Sequence, residues 1–75
     1  MTFAECVRKR RKELGMTQND LACRVKVSRQ TVIAWERGSV MPDLNNLGAL
    51  EEALNLQRGT LFLSSQNSAN PPQSP

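Results

Sequence analysis

Apolar residues recur along this chain at helical spacing in four successive segments, and nowhere alternate with the period of a strand. In the first segment Phe3, Val7, Arg11 and Leu14 follow one another at intervals of four, four and three, which places them on one stripe. Thr2 is the N-cap and Glu5 completes a capping box, so the pattern predicts a helix over about 3–14 that Gly15 stops. Thr17 opens a shorter second helix whose Gln18, Leu21, Ala22 and Val25 share an inward face. Ser28 caps a third, with Val32 and Trp35 pointing inward and Gly38 ending it. Asp43 caps a fourth, amphipathic through Leu44, Leu47, Leu50 and Leu54. Leu56, Leu61 and Phe62 then suit either a last turn that closes the core or an apolar surface offered to a partner. With no repeat and no hairpin dipeptide, the expected fold is all-α, a compact bundle of four to five short helices.

The composition shifts at Ser64: residues 64–75, SSQNSANPPQSP, hold no charge and three of the four prolines, the pattern of a disordered tail. The 75 residues therefore divide into one helical domain, 1–63, and a tail, 64–75. Ten basic against seven acidic residues give a net charge of +3, which favours a polyanionic partner. Histidine is absent, which removes the commonest general base and metal ligand together. Cys6 and Cys23 stand 17 positions apart with no CxxC pair, a spacing that suits neither a zinc site nor a disulfide framework. No enzyme, metal or cofactor is expected. That cysteine usage favours a reducing compartment, and basic residues from Arg8 on leave no room for a signal peptide or a membrane span, so a cytoplasmic setting is expected.

Two short helices joined by a tight turn and preceded by a basic helix have the anatomy of a helix-turn-helix. The residues narrow this further. LGMTQNDLACRVKVSRQTVIAWERG, residues 14–38, followed by MPDLNNLGALEEALNL, resembles the Cro/phage-repressor type of helix-turn-helix, the XRE family, over roughly residues 3–62. The TQxxLA opening, the SRQT segment, the WERG ending and the Pro-Asp start of the next helix carry the resemblance. It implies a lambda-repressor-like domain of five helices that binds double-stranded DNA, a transcriptional regulator acting as a repressor and as a homodimer on a pseudo-palindromic operator. With one domain only, control is expected through concentration, dimerisation or a protein partner.

Arg29 and Gln30 project from the start of the third helix, the part that enters the major groove in this motif. Arg29 offers a fork to guanine O6 and N7, and Gln30 suits adenine N6 and N7, each discriminating by about 1–3 kcal/mol. A phosphate contact or a solvated charge stays open for Arg29. Ile33 meets a thymine methyl or is partly buried against the second helix or a neighbouring turn, and Ala34, on the face that resembles the family's reading face, lets the helix approach closely. Gln18 holds a phosphate as the matching glutamine does in the family, or serves as a local cap or a brace for Arg29. Ser28, Thr31, Arg37 and Ser39 are further phosphate candidates, although many family members carry lysine where Ser39 stands. The resemblance also implies an Arg11 to Glu36 ion pair fastening the first helix to the third.

Trp35 reads as core and Cys23 as an ordinary thiol at or near the surface. Three positions depart from the family. Lys26 occupies a turn that prefers glycine, at a cost of about 1 kcal/mol. Gly48 weakens the fourth helix by about the same amount, and Glu51 replaces a small apolar residue, which makes this helix the least secure in packing or marks an interface contact. The competing reading is an antitoxin-like or adaptor module that binds another protein through Leu56–Leu63 and the tail.

Overall fold

Four N-caps open four helices. In the computed structural model, which describes residues 2–61, α1 spans Phe3–Glu13, α2 Gln18–Val25, α3 Arg29–Arg37 and α4 Leu44–Ala53, and a further helical turn opens at residues 60–61. Thr2, Thr17, Ser28 and Asp43 each lend a side-chain oxygen to the backbone N–H three residues on, which satisfies one of the donors a helix start leaves over. At α1 and α2 the acidic residue of that first turn, Glu5 or Asp20, returns the bond to the cap's own N–H.

The helix ends share one device as well. Gly15, Lys26, Gly38 and Asn55 all adopt positive φ, and just beyond each of them an N–H reaches back five residues: Met16 to Arg11, Val27 to Ala22, Ser39 to Ala34 and Leu56 to Glu51. Two of these reversals are made without glycine. Lys26 sits at φ 66° and ψ 46°, so the left-handed turn expected between α2 and α3 forms with a side chain in place.

α3 lies against both α1 and α2, and α4 packs on α2. The space between them is filled by Phe3, Val7, Leu21, Ala22, Val25, Val32, Trp35, Leu47, Leu50, Leu54 and Leu61. Trp35 is 2% exposed and belongs to this core. Each fully buried aliphatic side chain in such a cluster contributes about 1.5–3 kcal/mol.

Both ends of the predicted stripes deviate. α1 stops at Glu13, and Leu14, its C-cap, is 39% exposed because the chain turns away there towards Gly15. Leu44 is the first residue of α4 and stands 71% exposed, ahead of the point where the helix meets its neighbours. Glu51 corrects an expectation more sharply. It is neither a packing fault nor an interface residue: it is buried, and its Oε2 accepts the N–H of Leu61 at 2.8 Å. Leu61 is itself wholly buried, so it is not a free apolar surface, and Leu56 is half-buried against the core. Phe62, Leu63 and the expected tail 64–75 lie outside the described residues.

Candidate nucleic-acid interface

Three residues of α3 are turned inward, Val32, Trp35 and Glu36, and they fix which side faces out. At 100° per residue the opposite side carries Gln30, Ile33, Ala34 and Arg37, with Arg29 at its edge. Arg29, Gln30 and Arg37 are exposed, while Ile33 and Ala34 are half-buried. Part of the Ile33 surface is covered, in line with the packing alternative, and part is exposed. Among the described residues no hydrogen bond or ion pair engages the side chains of Arg29 and Gln30.

Ser28 Oγ accepts the N–H of Thr31 at 3.2 Å and lies 2.9 Å from Thr31 Oγ1, so these two phosphate candidates first of all brace the start of α3. Ser39 is exposed just past the helix end. Gln18, the first residue of α2, is half-buried and lines an open cleft with Arg11, Met16, Thr17, Asn19 and Arg29. The starts of α2 and α3 therefore border one concavity. Arg29 and the α2 N-terminus give it a positive character, since the charge of Arg11 is met by Glu36.

Behind this surface lies a buried polar network. Arg11 grips Glu36 at two points, Nε donating to Oε2 at 2.6 Å and Nη2 to Oε1 at 3.1 Å, while Nη1 donates to the Met16 carbonyl at 2.9 Å. Gln18 Nε2 donates to Glu36 Oε1 at 3.2 Å. Arg11 and Glu36 are only 8% and 4% exposed, so the charges are removed from water and satisfied by one another. Gln18 consequently braces Glu36, and not Arg29 as the sequence allowed.

The remaining basic residues of α1 divide by task. Arg10 Nε donates to the Leu54 carbonyl at 2.9 Å and Nη2 to that of Asn55 at 3.5 Å, which ties α1 to the C-terminal end of α4. Sequence reasoning missed this clamp, since nothing local to Arg10 points to a partner 44 positions away. Arg8 reaches the Glu36 carbonyl at 3.4 Å, and Lys9 and Lys12 are exposed. Cys23 is exposed and Cys6 half-buried. Among the described residues no cluster of ligating side chains is suited to a metal ion, and no helix is long and apolar enough to cross a membrane.

Two held carboxylates complete the electrostatics. Glu5 is kept below its ordinary acid range chiefly by the backbone N–H of Thr2 and then by its hydroxyl, and Asp20 likewise by the N–H and hydroxyl of Thr17.

Comparison with known proteins agrees with this geometry. The sequence profile of the helix-turn-helix family matches residues 7–61. An uncharacterized HTH-type transcriptional regulator of Methanothermobacter thermautotrophicus is 58% identical over 38 residues, covering 51% of this chain and 55% of that protein. The HTH-type transcriptional regulator DicA of Escherichia coli is 44% identical over 54 residues, 72% of this chain and 40% of that one. The chain thus spans about half the length of these relatives. Among solved structures, the P22 c2 repressor in complex with a synthetic operator superimposes with a TM-score of 0.77 at 36% identity, over 81% of this chain and 92% of that one. The DNA-binding domain of the same repressor in solution gives 0.79 at 35%, over 83% and 82%. With the profile covering most of the chain and the same fold in a repressor domain, this protein belongs to the helix-turn-helix family of Cro/phage-repressor type transcriptional regulators.

Proposed function

We propose that this chain reads a specific sequence of double-stranded DNA and represses transcription as a homodimer on a pseudo-palindromic operator. One observation carries the reading: Arg29 and Gln30 stand exposed, without intramolecular partners among the described residues, at the start of a helix anchored from behind by Trp35 and the buried Arg11 to Glu36 pair. Long polar side chains held out in this way are suited to base edges in the major groove, with Ile33 and Ala34 beside them for a thymine methyl and close approach. Gln18, Ser28, Thr31, Arg37 and Ser39 surround that helix and suit phosphate oxygens, which set register and not sequence. The operator complex of the structurally similar P22 c2 repressor supports this direction. DNA as the partner also fits a cytoplasmic site of action.

In vitro selection from random duplexes at about 0.15 M salt tests the proposal, because non-specific attraction is weakened there. The expected product is an inverted repeat with half-sites about one helical turn apart. Arg29→Ala should relax preference at one base pair, whereas Gln18→Ala should weaken all sequences alike. Selection that enriches nothing would sink the sequence-reading role. The adaptor alternative loses ground from the burial of Leu61, since that residue is committed to the core.

A further inference from the structure

We propose that Glu36 is a positioning residue for the DNA contact of Gln18, an inference that rests on the functional reading above. Glu36 Oε1 is shared by Arg11 Nη2 at 3.1 Å and Gln18 Nε2 at 3.2 Å, and Oε2 takes Arg11 Nε at 2.6 Å. An ionised carboxylate only accepts, so it holds the Gln18 amide by its nitrogen and excludes the flipped orientation. That bond uses one of the two amide hydrogens. The second hydrogen and the amide oxygen remain for the cleft that Gln18 lines with Thr17, Asn19 and Arg29.

Arg11 matters to this arrangement because it fixes the carboxylate from the opposite side. Its two-point grip, backed by the bond to the Met16 carbonyl, sets Glu36 in place whether or not Gln18 is engaged. Gln18 is therefore presented to a phosphate already ordered. A glutamine on a bare surface would lose its side-chain freedom on binding, and here that loss is taken in folding. The consequence is that a residue pointing into the core governs an affinity expressed at the surface.

The test replaces the pair by apolar residues, Arg11→Met with Glu36→Leu, which leaves the net charge of +3 unchanged and which buried pairs often tolerate. Affinity for the selected duplex is measured with this replacement, with Gln18→Ala, and with both together. Positioning predicts that the replacement weakens binding by about fivefold more when Gln18 is present than when it is alanine, the size of one ordinary hydrogen bond. Equal weakening in both backgrounds would assign the effect to the lost Arg11 charge and overturn the inference. A second reading needs no variant that folds: in the unaltered protein, one Gln18 side-chain amide hydrogen should exchange with water more slowly than those of exposed Gln30. Exchange as fast as that of Gln30 would overturn the inference alone, whereas a chain that selects no duplex would overturn it together with the functional reading.

Discussion

Glu36 and Glu51 are buried to the same extent, 4% exposed each, yet they are held by different means. Glu36 takes two bonds from a guanidinium and one from an amide, all from side chains of α1 and α2. Glu51 has, among the described residues, a single donor, the backbone N–H of Leu61. The first arrangement joins three helices behind the candidate interface. The second only returns the end of the chain to α4. Burial alone therefore does not set the consequence of losing a carboxylate's partner; what matters is whether a charge is then left without its counter-charge in a dry site.

The sharpest way to break this contrast is Arg11→Ala, expected to cost about 3–5 kcal/mol in urea unfolding because Glu36 is left charged and buried. A loss below about 1 kcal/mol would put the pair on a level with an exposed one and erase the distinction. Glu51→Ala should cost less, about 1–3 kcal/mol, since it orphans one backbone donor and strands no charge. Amide exchange should then speed up at Leu61 while α1 to α3 keep their protection. Equal opening in both regions would mean that they are one cooperative unit.

Lys26→Gly refines the contrast from the backbone side. It should add up to about 1 kcal/mol of stability, because φ of 66° costs a side-chain-bearing residue more than glycine. Asn55→Gly, at φ 56° on the Glu51 side, should give less, since asparagine tolerates this region. The smallest effect is expected from mild acid. Glu5 and Asp20 are held below their ordinary range by the caps Thr2 and Thr17, so their contribution is complete at neutral pH and is lost as pH falls through those lowered values. Both are fully exposed, and the melting temperature should therefore decline gently below the usual carboxylate range.

The helices were legible in the sequence because their signals are local. Thr2 with Glu5, Thr17, Ser28 and Asp43 lie within three residues of what they cap, and Gly15 and Gly38 end what they follow. Periodicity also separated Val32 and Trp35 from the outward Arg29 and Gln30. It misled at Leu14 and Leu44, since spacing defines a face but not how far along it a neighbour extends. Tertiary bonds stayed out of reach for the same reason: Arg10 to Leu54 and Gln18 to Glu36 join distant positions, and only the family resemblance implied the pairing of Arg11 with Glu36. Glu51 was unreadable because its partner is a backbone amide, which has no sequence signature.

The isolation of Arg29 and Gln30 bears on how such a domain can change over generations. Neither side chain fills the core, joins the Glu36 network or takes part in the Ser28 cap. Exchanging them disturbs nothing the fold depends on, and exposed substitutions of this kind usually shift stability by no more than about 0.5 kcal/mol. New pairs of residues can therefore be sampled there one at a time without a compensating change elsewhere. The fold leaves these two positions unconstrained, so what restricts them is the duplex they are proposed to meet.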